Sequence, residues 1–253
     1  MTGDEFAGRT AIVTGAAFGI GRGVAVELAR RGANVVAGDI KADELTNVEG
    51  EIAGVGGKCR TVVFDATISA ENERLVRIAN EEFGIVQLLV ASVGGFPAKT
   101  PLEDVTDDQW DRGIRLNLSS AFYSCRAVIP QMKSAGFGRI VTVSSAAGRS
   151  PSNPTTAFYA AAKAGVIGLT RQLAQEAGRH GITVNSVAPG ITLTPRIREL
   201  YDDAGMERLR SVTPLGRIAE VEDQVAPVLF LLSDGARHIT GASLDVNGGR
   251  LML

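Results

Sequence analysis

Short apolar runs rich in β-branched residues recur along the chain: TAIVT, NVVAGD, TVVF, QLLVAS, RIVTVSS and ITVNSVAP. Between them lie longer stretches whose apolar residues recur with a helical period, so strand and helix alternate. Neighbouring positions within the runs are both apolar, as in Ala11 to Val13 and Ile140 to Val143, which is what a strand needs when helices cover both faces of its sheet. The pattern predicts an α/β fold: a doubly wound parallel sheet of about seven strands with helices on both faces, the strand-like SLDVNG near the end supplying the last one. No Pro/Ser-rich linker, repeat or low-complexity segment divides residues 1–253, so a single domain is expected. One stretch breaks the rhythm. Ile191 to Thr213 is charged, carries Pro195 and Gly205, and follows the sixth strand, where an insertion is expected to form a substrate lid over 191–213.

Composition narrows the function classes. With 45% hydrophobic residues, 21% charged residues and a formal net charge of -2, the chain reads as an ordinary globular protein, and neither a nucleic-acid binder nor a membrane-surface protein is expected. The stretch MTGDEFAGRT has acids where a signal peptide has bases, and no later apolar run reaches the ~18 residues a spanning helix needs, so a cytoplasmic location is expected. Cys59 and Cys125 lack CxxC spacing, and His180 and His238 have no ligand set around them, so no metal and no disulfide framework is expected.

Candidate chemistry begins after the first strand, at Thr14-Gly15-Ala16-Ala17-Phe18-Gly19-Ile20-Gly21, followed by a helical run. Gly15, Gly19 and Gly21, lacking side chains, allow a pyrophosphate to approach the backbone, and the helix behind them aims free N–H groups and its positive dipole end at the phosphates. A plain strand-to-helix turn would use glycines too, but the position at the first strand-helix junction favours the phosphate cradle, with Phe18 and Ile20 lining it. The second strand ends in Asp39, placed to accept hydrogen bonds from the adenosine ribose hydroxyls. A 2'-phosphate would meet a like charge there, so NAD is expected over NADP, although Arg22 and Lys41 are nearby. Asp65, after the third strand, suits either a contact to the adenine edge or a simple turn.

Ser144-Ser145 closes the fifth strand, and Tyr159-Ala160-Ala161-Ala162-Lys163 opens an alanine-rich helix. Tyr and Lys at i and i+4 share one helix face. A phenol titrates near 10, and an ammonium close by stabilises the phenolate and pulls that value down, making the pair a proton shuttle. A serine hydroxyl from the adjoining strand end would hold the substrate oxygen against Tyr159. Each piece alone has a bland reading, a helix-surface pair and a strand-end turn. Beside a phosphate cradle they read as one site.

Together these residues resemble the short-chain dehydrogenase/reductase family, from about Gly8 to Gly249, and imply a Rossmann-type fold. The matching pieces are the loop from Thr14 to Gly21, Asp39, Asp65, Asn117 in RLNL, Ser145, Tyr159-x-x-x-Lys163 and Asn185-x-x-x-Pro189-Gly190. The resemblance implies that Ser145 orients the carbonyl, Tyr159 is the general acid/base, Lys163 supports it and bonds the nicotinamide ribose, and Asn117 holds a water in the proton relay. It implies cofactor contacts from Gly94, Pro189, Gly190, Ile191 or Thr192, and Thr194, a small alcohol or ketone as substrate, and a homotetramer packed through the segment from Ile239 to Gly249, with Leu251-Met252-Leu253 buried. From the residues alone, Asn117 reads as a solvated or capping polar residue in a long helix, and Thr194 as an N-cap before Pro195. The chain departs from the family's Asn-Asn-Ala-Gly after the fourth strand, reading Ala91-Ser92-Val93-Gly94, which removes two side chains that tie backbone segments together behind the cofactor. Phe96, Phe158 and Leu193 hint at an apolar substrate pocket. A rival activity, 3-oxoacyl-thioester reduction, would need a basic patch for a phosphorylated carrier, for which Lys99, Arg149, Arg196 and Arg198 are available. A non-catalytic NAD-binding sensor is the third reading, and such proteins lack the Tyr or Lys present here.

Overall fold

The computed structural model describes residues 4–95, 99–151 and 155–252, with Arg196 described by its backbone alone. Strands and helices alternate as the pattern predicts: β1 (Thr10–Thr14), α1 (Gly19–Arg30), β2 (Asn34–Asp39), α2 (Ala42–Gly54), β3 (Lys58–Val63), α3 (Ser69–Phe83) and β4 (Val86–Ala91). The second half runs α4 (Asp107–Ile114), α5 (Ser120–Ala135), β5 (Gly138–Val143), α6 (Ala157–Ala177), β6 (Ile182–Pro189), α7 (Pro195–Leu200), α8 (Asp203–Ser211), α9 (Val221–Leu232) and β7 (Ser243–Val246). All seven strands are parallel in the order β3-β2-β1-β4-β5-β6-β7. The strand order reverses between β1 and β4, so their C-terminal ends flank the crevice where doubly wound sheets bind ligands.

The two-residue period of the strands divides the core. Val13, Val35 and Val90 face one side and pack with Val24 and Leu28 of α1, Val48 of α2 and Leu229 of α9. Ile12, Val36 and Leu89 face the other and pack with Leu75 of α3, Val128 and Met132 of α5 and Ala174 of α6. Burying a leucine or valine fully contributes roughly 1.5–3 kcal/mol, so both faces hold the sheet in one register and fix where its strand ends point.

The segment predicted as an insertion folds into α7 and α8 around its own apolar cluster. Ile197, Met206 and Leu209 pack with Ile218 beyond them, against Ile191, Leu193 and Tyr201. Thr192 bridges to Ala219, and the Leu193 N–H donates to the Ala219 carbonyl at 2.8 Å, so the excursion starts and ends side by side just beyond the C-terminal end of β6. Of the apolar tail, Met252 is 76% exposed and Leu251 half-buried, while Leu253 falls outside the described residues. Among the described residues no helix is long and apolar enough to cross a membrane, and no cluster of His, Cys, Asp and Glu has the arrangement to hold a metal.

Candidate active site

A cleft of about 1390 Å³ opens at the β1/β4 crevice. It is larger than the roughly 300–1,000 Å³ typical of small-ligand pockets. The residues read from sequence as catalytic or cofactor-binding line it: Gly15, Phe18, Gly19, Ile20, Gly21, Asp39, Asp65, Gly94, Asn117, Ser145, Tyr159, Lys163, Pro189, Gly190, Thr192 and Thr194.

At one end lies the glycine loop. Gly15 and Gly19 take φ of 70° and 53°, a region L side chains avoid, and a Cβ on Gly21 would stand 2.1 Å from the Gly15 carbonyl oxygen. The N-cap of α1, Phe18, makes no side-chain capping bond, and the helix's first turn holds no acid. Its leading N–H groups thus face the cleft uncompensated, which suits a pyrophosphate. Asp39 braces the loop: its carboxylate accepts from the Ala17 and Lys41 N–H groups, both at 3.1 Å. Arg22, a possible partner for an added phosphate, is turned away by Glu51 at 2.8 Å and Glu44 at 3.4 Å, and the hydrogen bond to Glu51 raises its pKa further. Asp65 folds back on its own turn, accepting from the Thr67 N–H at 2.8 Å and hydroxyl at 2.7 Å, so the turn reading of this residue is realised.

Ser92 takes over the strand-tying work of the missing asparagines. Its hydroxyl donates to the Thr14 carbonyl at 2.6 Å and joins the ends of β4 and β1 behind the cleft. At the departure Ala91-Ser92 one side-chain tie between the two strand ends is thus present.

Asn117 corrects its reading from the residues alone, for it is neither solvated nor a cap. It is buried, with Nδ2 donating to the Gly113 carbonyl at 3.0 Å and Oδ1 accepting from the Gly95 N–H at 2.9 Å. The cause is a five-residue π-turn, Arg115–Ser119, inserted between α4 and α5. A wider turn shifts the side chains around the helix axis, so extrapolating the α-helical period misplaces this residue.

Lys163 is buried and donates from Nζ to the Val143 carbonyl at 2.8 Å, and burial pulls its pKa down to about 8. A Cβ on Gly94 would stand 2.8 Å from both Lys163 Nζ and Asn117 Oδ1, so both polar groups crowd the strand end at this glycine. Ser145 accepts from the Ala147 N–H at 3.2 Å, and close packing of Gly148, whose Cβ would meet the Lys163 carbonyl carbon at 2.5 Å, presses this turn onto α6. Tyr159 is thereby hydrogen-bonded to Ser145. The expected downward pull of Lys163 on the phenol is not the controlling effect. Burial raises the Tyr159 pKa and the Ser145 bond only partly opposes it, because Nζ lies 5.9 Å from the ring centroid and is turned to Val143.

On the facing wall, the Thr192 hydroxyl reaches the Gly190 carbonyl at 3.4 Å, and Gly190 packs on Asn247, whose Cα would lie 2.9 Å from a Cβ there. Thr194 occupies the N-cap position before Pro195, as expected, but its hydroxyl makes no capping bond, while its methyl faces Gly19 across the cleft. Phe158 packs onto Gly113 at the cleft wall, and Leu193 joins the α7–α8 cluster. Phe96 falls outside the described residues. Of the expected basic patch, Arg149 is spoken for by Asp245 at 3.2 Å and the Ser243 carbonyl at 3.0 Å. Sequence reasoning missed Arg112, Arg208 and Arg250, which also line the cleft. They lie in no motif and are brought there from three distant segments, so no local signal marks them.

Residues 15–250 match the protein family described as enoyl-(acyl carrier protein) reductase. The chain is 40% identical over 249 residues to the 3-oxoacyl-(acyl-carrier-protein) reductase of Salmonella typhimurium, covering 98% of this chain and 100% of that one. It is 37% identical over 257 residues to the D-beta-hydroxybutyrate dehydrogenase of Rhizobium meliloti, covering 95% and 98%. Among solved structures, levodione reductase superposes with a TM-score of 0.93 at 30% identity, over 97% of this chain and 98% of that one.

Proposed function

This chain belongs to the short-chain dehydrogenase/reductase family, and from that premise we propose that it is an NAD-dependent oxidoreductase interconverting a secondary alcohol and a ketone. The observation that carries the reading is the Tyr159–Ser145 hydrogen bond beside buried Lys163, in the same cleft as the glycine loop. In this reading Tyr159 passes a proton to or from the substrate oxygen, and the Ser145 hydroxyl holds that oxygen in reach. Lys163, as an ammonium, favours the phenolate as the proton leaves, and Asn117, anchored at Gly113 and Gly95, is the family's position for a relay water. When bound, a nicotinamide dinucleotide supplies the two-electron acceptor or donor for the substrate carbon. Gly15, Phe18, Gly19, Ile20 and Gly21 would take its pyrophosphate, Asp39 its adenosine ribose, Asp65 its adenine, and Gly94, Pro189, Gly190, Thr192 and Thr194 its nicotinamide side, with Tyr159 and Lys163 at the ribose there.

NAD is preferred over NADP in this reading because Asp39 stands at the ribose position while Glu44 and Glu51 hold Arg22. The segment 191–213 acts as the substrate lid, and exposed Phe122, Phe230 and Leu244 fit burial in a homotetramer working in the cytoplasm. A second reading, reduction of 3-oxoacyl thioesters, is favoured by the name of the 40%-identical relative. Its basic patch is weakened because Arg149 is fastened to β7. The test follows absorbance at 340 nm for wild type and Tyr159→Phe, with NAD and NADP, against secondary alcohols, hydroxy acids and hydroxyacyl thioesters. Turnover with NAD that is lost in the variant is the expected result; equal turnover in the variant removes Tyr159 from its role.

A further inference from the structure

The cleft carries charge that alcohol and ketone chemistry does not use. Arg250 leaves the end of β7, whose Val246 pairs with Pro189, so it emerges beside the Pro189–Gly190 corner. Its Nη1 is buried and has no hydrogen-bond partner among the described residues. The residue lines both the main cleft and an adjoining cavity of about 370 Å³, which share Ile191 and Leu209 as their common wall. Arg208 of α8 also lines the cleft; unlike the Arg250 Nη1 it is exposed, and it has no acidic partner among the described residues. Arg112 lines the cleft as well but is paired with Asp108; within the lid Glu207 is paired with Arg210, and Glu199, which also lines the cleft, forms no ion pair with Arg208 or Arg250 among the described residues. Buried donors in folded proteins are normally paired, and a guanidinium fork matches the two oxygens of an oxyanion.

We infer that Arg250, with Arg208 lining the same cleft, anchors an anionic group of the substrate, leaving the hydroxyl or carbonyl at Tyr159 and Ser145. This deepens the oxidoreductase reading and rests on it for the identity of the reacting group. The anion has two chemical sources: the carboxylate of a free hydroxy or oxo acid, or the phosphates of a thioester carrier arm. Neutral alcohols then lack the anchor.

The test compares kcat/KM, with NAD, for short 3-hydroxy acids, their methyl esters, and 3-hydroxyacyl thioesters of coenzyme A and of uncharged N-acetylcysteamine. A charge-assisted hydrogen bond gives the anionic member of the correct pair an advantage of about 10- to 100-fold. Acid over ester identifies the carboxylate; coenzyme A over N-acetylcysteamine identifies the carrier phosphates. Arg250→Gln brings that ratio to within about threefold of one, Arg250→Lys restores part of it, and Arg208→Gln lowers it less. Ratios near one in the wild type, or a ratio that survives Arg250→Gln, overturn the anchor while leaving the oxidoreductase reading standing. Calorimetric titration of butyrate, hexanoate and inorganic phosphate into wild type and Arg250→Gln reads the anchor without turnover. Binding that is lost in the variant upholds the anchor even if no hydroxy compound reacts, in which case the oxidoreductase reading falls. No binding together with no turnover overturns both.

Discussion

Gly94→Ala probes the centre of the site with a single methyl. The new Cβ would lie 2.8 Å from Lys163 Nζ, 2.8 Å from Asn117 Oδ1 and 3.4 Å from Lys163 Cε. Ordinary contact needs roughly 3.5 Å, so both polar atoms must retreat by several tenths of an ångström in a close-packed interior. Neither can retreat freely: Nζ is held at 2.8 Å by the Val143 carbonyl and Oδ1 at 2.9 Å by the Gly95 N–H. Weakening one such bond, with a charged donor, costs about 1.5–3 kcal/mol. Gly95→Ala is the internal control, because a Cβ on the neighbouring residue meets nothing within 4 Å. The expected outcome is a fall of about 10- to 100-fold in kcat for Gly94→Ala, measured at 340 nm, against less than about threefold for Gly95→Ala. Thermal melts should show Gly94→Ala lower by several degrees, at roughly 2–4 °C per kcal/mol for a chain of this size. Gly94→Ala within threefold of wild type in kcat, or indistinguishable from Gly95→Ala in both assays, would refute the claim that Lys163 and Asn117 are held tightly against this glycine.

The remaining predictions concern charge and strand ends. Burial depresses the folded-state Lys163 pKa from 10.5 to about 8, so the folded state releases this proton first, and stability lost to the buried ammonium below pH 8 is regained as pH rises towards 10.5. Denaturant melts should therefore show Lys163→Met more stable than wild type at pH 7, with the gap narrowing by pH 10. No narrowing would mean the ammonium is solvated or paired. Asp39→Ser should lower kcat/KM with NAD and raise it with NADP, shifting their ratio by about tenfold or more, as like charge at the 2' position is removed; an unmoved ratio would take Asp39 out of cofactor selection. Ser92→Ala deletes the 2.6 Å tie to Thr14 and should cost about 1 kcal/mol in urea unfolding with no change in m-value.

The alternating apolar runs determined a parallel sheet covered on both sides, since strands like β1, buried along all their length, have no other way to be stable. Glycines at 15, 19 and 21, and the i, i+4 spacing of Tyr159 and Lys163, were equally legible, because a tight turn and a shared helix face are local consequences of backbone geometry. Tertiary structure decided the rest. A π-turn that no helical period foretells carried Asn117 inward, and Ser92 met Thr14 only because β4 lies beside β1. Arg22 could have served a phosphate until α2 brought Glu44 and Glu51 against it. The titration of Tyr159 and Lys163 depends on how much water the fold excludes around them, which the i, i+4 spacing does not encode. Arg208 and Arg250, far apart in the chain and in no motif, line one cleft because α8 and the end of β7 converge there. Periodicity records which face of an element is buried; which distant residue waits on that face is settled when the elements pack.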